Sequence, residues 1–141
     1  IIAFCNIISS IGTGYLSDHF HRSRQLGFIY ALRAVTFIFL LIIQNPWLLI
    51  IFAVFYGLTD MASIAPTNSI TTQLFDRYSI GTILGFVTIS HQMGGALGSW
   101  IPGILFDLTG SYYLMFIICI ILLLASALLV LKVPEPRYQK I

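Results

Sequence analysis

Leu114-Met115-Phe116-Ile117-Ile118-Cys119-Ile120-Ile121-Leu122-Leu123-Leu124-Ala125-Ser126-Ala127-Leu128-Leu129-Val130-Leu131 is a run of eighteen residues without one charge. Wound as a helix at about 1.5 Å per residue it reaches ~27 Å, close to the thickness of a bilayer's hydrocarbon core. Lipid offers no water to a backbone N–H or C=O, so a lone span must satisfy these groups within itself, and a helix does so. The run reads as a transmembrane helix over 111–131.

The rest of the chain agrees. Of 141 residues, 58% are hydrophobic and only 9% charged, where soluble domains carry about a quarter charged. Mean hydropathy is +0.95. A soluble domain this small buries only about two-thirds of its chain's surface and has no room for so much apolar area. A cytosolic enzyme, a disordered tail and a nucleic-acid binder are excluded. The expectation is an all-α integral membrane protein with five transmembrane helices, at 1–16, 24–44, 47–73, 79–105 and 111–131, followed by a tail over 132–141. The first span is short, as if clipped. The chain begins with Ile1 and no basic segment precedes its first apolar run, so it reads as a fragment without a signal peptide. The third and fourth spans carry Thr, Ser, Asn, Gln, Gly and Pro, which suits helices facing other helices or water.

The links are brief: Asn45-Pro46, Asp76-Arg77-Tyr78 and Asp107-Leu108-Thr109-Gly110. Short links make neighbouring spans antiparallel. Arg22, Arg24, Arg77, Lys132, Arg137 and Lys140 then fall on one side, and no Lys or Arg falls on the other. By the positive-inside rule that side, with the tail, is cytoplasmic. Pro134 and Pro136 stop the last helix from continuing. Trp47, Trp100, Tyr112 and Tyr113 form an aromatic belt at the outer interface. Cys5 and Cys119 lie in apolar runs and read as small buried side chains, with no metal-ligand spacing nearby.

Three ionisable residues lie at the middle of their spans: Arg33, Asp60 and His91. An ion at that depth costs about 2.5–3.5 kcal/mol on insertion scales, so such residues pair or serve a function. Arg33 and Asp60 are on consecutive antiparallel spans and are placed to pair, either to neutralise each other or to work. Asp60, Ser63 and Thr67 share one helical face, and Pro66 frees a backbone carbonyl in the same span. Thr59 and Asn68 add polar groups, and the face suits a water-filled path. His91 and Gln92 precede Gly94-Gly95-Ala96-Leu97-Gly98. An imidazole titrates near neutrality and can relay protons, or can simply be a hydrogen-bonded core residue. Gly81 and Gly85, and Gly94 and Gly98, repeat at a spacing that lets helices approach closely. Pro102 predicts a kink.

The segment Gly14-Tyr15-Leu16-Ser17-Asp18-His19-Phe20-His21-Arg22-Ser23-Arg24 resembles the cytoplasmic signature of major facilitator superfamily transporters: Gly, three residues, Asp, a basic residue, any residue, Gly, then two basic residues. Gly14, Asp18 and Arg22 match, and His19 holds the first basic position. His21 replaces the Gly, and Ser23 replaces the second basic residue, with Arg24 one place later. Physically, Asp18 ends a span, and the basic turn after it can pair with it or with a helix's carbonyl end. Such a cluster serves as a gate, or only sets topology. Gly57-Leu58-Thr59-Asp60 through Ala65-Pro66-Thr67 resembles the tenth helix of bacterial relatives of monocarboxylate transporters. His91 to Gly98, with Gly103, Asp107 and Gly110-Ser111-Tyr112, resembles the eleventh.

The resemblance implies that the spans are helices eight to twelve, part of the C-terminal six-helix bundle of a twelve-helix fold, and that an N-terminal bundle is missing. It implies a cavity role for Asp60 and a structural one for Arg33. It also implies alternating-access transport of a small organic anion, with protons as the candidate coupling ion, in the plasma (inner) membrane, with the lipid bilayer as partner and no cofactor. Two other readings stand beside it. A complete five-span structural or assembly protein is one. A membrane-embedded enzyme is the other, but no span carries a His pair at metal spacing or an acidic pair.

Overall fold

The computed structural model describes residues 2–19, 21–42, 45–75 and 79–133, the side chains of Asp18 and His19 excepted. Arg77, Pro134, Pro136, Arg137 and Lys140, which the orientation argument uses, lie outside the described residues. Among the described residues the only regular structure is helical: α1 (Ile2–His19), α2 (Arg22–Ile42), α3 (Pro46–Asp60), a 3₁₀ turn (Met61–Ser63), α4 (Ile64–Leu74), α5 (Ile80–Thr109) and α6 (Tyr113–Leu131). With α3, the 3₁₀ turn and α4 taken as one interrupted rod, the chain makes five helical passes. Arg22–Ile42, Pro46–Leu74 and Tyr113–Leu131 are long and apolar enough to cross a membrane, and Ile2–Ser17 is a shorter apolar helix. The 30 residues of α5 are long enough, but Thr, Ser, His, Gln and Gly dilute their apolar content.

The turns follow from their residues. Asn45 caps α3 by accepting from the Trp47 N–H at 3.1 Å, and Pro46 takes the first helical position, where its missing N–H costs nothing. At the end of α5 the chain turns at Gly110, whose φ of 68° is a left-handed conformation. The Gly110 N–H reaches the Phe106 carbonyl at 2.7 Å, and Phe106 stacks on Tyr112 across the turn, centroids 4.6 Å apart. Trp47, Trp100, Tyr112 and Tyr113 are all exposed.

The packing is that of a membrane protein. Small and polar side chains fill the interior: Thr59, Pro66 and Ser17 are the largest of the fully buried ones. Phe28, Ile121 and Leu128 are more than half exposed, which suits lipid as solvent. Helices α2 and α6 approach closely where a Cβ on Gly27 would lie 3.0 Å from Leu131 Cδ2. Helices α1 and α3 meet where a Cβ on Gly57 would lie 2.8 Å from Cys5 Cβ and 2.9 Å from the Ile2 carbonyl oxygen. Phe37 of α2 joins α3 and α6 through edge contacts with Phe52 and Tyr56 and a tilted contact with Phe116.

Helix α5 departs from expectation. None of its residues is buried, and a Cβ on Gly81, Gly85, Gly94 or Gly98 would meet nothing within 4 Å. The close packing expected of these glycines is not made among the described residues. A small-residue stripe permits close approach but does not supply a partner. Pro102 lies within this helix.

Candidate functional site

The site begins with a broken helix. Pro66 is the third residue of α4 and has no N–H, so the Ala62 carbonyl loses its helical donor. The preceding residues tighten into the 3₁₀ turn, where the Ile64 N–H bonds the Met61 carbonyl. In a continuous α-helix that N–H would serve the Asp60 carbonyl instead. Arg33 of α2 takes up the slack. Its Nη2 donates to the Thr59 carbonyl and, at 2.6 Å, to the Asp60 carbonyl. The Arg33–Asp60 pair anticipated from the sequence is present but loose, Nη2 to Oδ1 being 3.9 Å. The arginine is first a clamp on main-chain oxygens and only second an ion-pair partner.

The Asp60 carboxylate also meets α1. Asn6 Nδ2 donates to Asp60 Oδ2 at 3.3 Å, and beside it Ser9 Oγ donates to the Leu58 carbonyl. The carboxylate and guanidinium remain 29% and 16% exposed, respectively, so neither is sealed off.

A crevice lies between α5 and the α2–α4 seam. A cavity of about 350 Å³ is lined by Tyr30, Ser63, Thr67, Asn68, Thr88 and His91, with Ile64 and Val87 among them. The sequence-predicted Ser63, Thr67 and His91 are therefore brought together. Asp60 is not among the lining residues; it lies farther along the seam, Tyr30 and Arg33 being one turn apart on α2, the first lining the cavity and the second holding the Asp60 carbonyl. Gln92 is exposed on α5 and does not line it. A second cavity, about 560 Å³, is lined by Arg33, Tyr56, Gly94, Gly98 and mostly apolar residues of α5 and α6. The threonine hydroxyls spend their protons locally: Thr67 Oγ1 donates to the Ser63 carbonyl at 2.6 Å and Thr88 Oγ1 to the Leu84 carbonyl at 2.9 Å. They present lone pairs to the crevice, while the Asn68 amide and Tyr30 phenol can donate. The arrangement can hydrogen-bond a small polar solute and hold a charge.

At the other end of α2, Arg22 is buried, and its Nε donates to the Ser17 carbonyl at 2.9 Å. Ser17 Oγ donates to Gln25 Oε1 at 3.1 Å, and Gln25 Nε2 donates to the Thr13 carbonyl at 3.1 Å. The cation and the amide close the carbonyl end of α1, where a positive charge is favoured. Ser23 Oγ donates to the Val133 carbonyl at 3.3 Å, tying in the end of α6. Gly14 has open space around it, and Arg24 is exposed. The side chain of Asp18 lies outside the described residues. Ser23, noted in the sequence only as a departure from the signature, has a bond of its own.

Sequence reasoning did not single out Asn6, Tyr30, Thr88 or Gln25. Asn6 carried a usable signal, since a lone amide inside an uncharged span is costly unless it has a partner.

Comparison with known proteins places this geometry in context. The family profile described as Major Facilitator Superfamily matches residues 1–141. An uncharacterised MFS-type transporter, YcxA of Bacillus subtilis (strain 168), is 32% identical over 140 residues, covering 95% of this chain and 34% of the relative. Monocarboxylate transporter 12-B of Danio rerio is 27% identical, covering 98% of this chain and 30% of the relative. Monocarboxylate transporter 13 of Rattus norvegicus is 27% identical, covering 96% and 32%. The chain spans about a third of the length of the curated relatives it matches. No solved structure matches it at a significant level.

Proposed function

The chain belongs to the major facilitator superfamily, whose curated relatives are transporters rather than enzymes, and from that premise we propose that it is part of a secondary transporter working by alternating access. The observation that carries the reading is the crevice lined by Ser63, Thr67 and His91, at the break in the long helical rod that also carries the Arg33–Asp60 clamp. Interrupted helices near the midplane are where such transporters bind.

The solute is a small organic anion, bound between this bundle and an N-terminal bundle. The His91 imidazole on the crevice wall supports an anion. The printed names of the vertebrate relatives, monocarboxylate transporters, point to the same class. Asp60 carries the coupling proton, Ser63, Thr67 and His91 line the path, and Gln92 follows His91 on the exposed α5. Gly14, Asp18, Arg22 and Arg24 form the cytoplasmic gate, with the tail cytoplasmic and the protein in the plasma (inner) membrane. The burial of Arg22 against Ser17 supports a gate anchored firmly on α1 and α2.

The test is uptake of radiolabelled small carboxylates by proteoliposomes containing the full-length protein. Asp60→Asn is expected to keep solute exchange and to lose accumulation driven by a proton gradient. Gradient-driven accumulation at the wild-type level in Asp60→Asn removes Asp60 from coupling. Absence of carboxylate uptake under every gradient removes the solute class.

A further inference from the structure

Asn6 sits in an apolar stretch of α1, and its two amide atoms are treated unequally. Nδ2 donates to Asp60 Oδ2 at 3.3 Å. Oδ1 is buried and has no hydrogen-bond partner among the described residues. A buried acceptor left idle is costly, and native structures seldom keep one without a use. The second carboxylate oxygen, Asp60 Oδ1, faces Arg33 Nη2 at 3.9 Å. Arg33 does not depend on that oxygen, because the same Nη2 is held by the carbonyls of Thr59 and Asp60.

The carboxyl group therefore has the Asn6 amide and the Tyr56 phenol against it and the idle Asn6 Oδ1 beside it, while Arg33 is held through Nη2 on main-chain carbonyls and its buried Nε has no partner among the described residues. A proton on Asp60 uses that idle acceptor. A carboxylic acid both donates and accepts, and so does a primary amide. The geometry points to Asn6 as a positioning residue that holds Asp60 in both of its charge states, an inference that rests on the reading of Asp60 as the coupling site. When Asp60 is ionised, Asn6 only donates. When a proton from water binds Asp60 Oδ1, the new O–H donates to Asn6 Oδ1, and the bond from Nδ2 to Oδ2 stays. The result is a paired acid and amide. Arg33 gives up a loose ion pair and keeps its carbonyls, so the clamp on the broken helix survives the change. Release runs the same steps backwards and returns the proton to water.

The groups facing Asp60 are Arg33 from α2, Asn6 from α1 and Tyr56 from its own helix, with Cys119 of α6 beyond Tyr56. Helix α4 brings only neutral side chains. None of these neighbours carries a second carboxyl group.

Infrared difference spectra of the full-length protein in lipid, acid minus neutral, test the inference. The carboxylic C=O band that Asp60→Asn deletes belongs to Asp60. In wild-type protein grown with carbon-13 in the asparagine side chain, an isotope-shifted amide C=O band is expected to change in step with it and to vanish in Asp60→Asn. In Asn6→Ala the Asp60 band is expected to move to the higher frequency of an unpaired acid. An asparagine band that stays silent while Asp60 protonates, or an unmoved Asp60 band in Asn6→Ala, overturns the inference. If Asp60→Asn deletes no band at all, Asp60 takes no proton; the coupling reading then fails first and takes this inference with it. The labelled wild-type spectrum needs no change at Asn6, so a misfolded Asn6→Ala protein leaves the test intact.

Discussion

Glycine does opposite things in two parts of this molecule. In α2 and α3, Gly27 and Gly57 are points of closest approach, where an added Cβ would strike Leu131 or Cys5. In α5, Gly81, Gly85, Gly94 and Gly98 face empty space. The spacing in α5 is the better small-residue pattern of the two, yet the isolated glycines of α2 and α3 are the ones that pack. A stripe of small residues records that a helix can be approached; what approaches it is decided by the rest of the structure.

Substitutions sharpen that contrast. The largest effect is expected at Gly57. Gly57→Leu forces α1 away from α3 and should abolish the folded protein, read as loss of the monodisperse peak in detergent. Gly98→Leu, of the same size, should leave that peak in place; its loss would mean that α5 packs within this bundle after all. Next is Arg33→Met, which uncovers the Thr59 and Asp60 carbonyls at the break. A lost bond to a charged group costs about 1.5–3 kcal/mol, so a clear drop in melting temperature is expected. Asp60→Asn, which leaves the clamp's main-chain partners in place, should melt close to wild type. Gln25→Leu removes one neutral bond to the Thr13 carbonyl and one to Ser17, and should cost about 1 kcal/mol. Ser23→Ala removes a single 3.3 Å bond and should cost about 0.5 kcal/mol, measured by the same melts.

Much of this was legible in the residues, for identifiable reasons. The uncharged run before Lys132 fixes α6 because nothing but a helix satisfies its backbone in lipid. Asp60 was conspicuous because a carboxylate inside an apolar span must have a partner or a purpose. What stayed hidden depended on registration between distant helices. Nothing local says that the Arg33 guanidinium seeks main-chain oxygens before the Asp60 carboxylate; that preference arises from the Pro66 break, which exposes carbonyls at the depth of Arg33. Asn6 and Tyr30 join the site only because α1 and α2 cross α3 and α4 at these turns. The signature over Gly14 to Arg24 suggested a latch, but not that Ser23 bonds the end of α6.

The bond from Ser23 to Val133 joins residues 110 positions apart, and α2 meets α6 along the same seam at Gly27. At the usual 5–20 residues per second, a ribosome takes roughly 5–20 s to make the intervening chain. Throughout that interval α2 must reside in the membrane with its mating surface bare, open to premature association or to proteolytic surveillance. The seam that binds the finished bundle is thus also its most exposed moment during biogenesis.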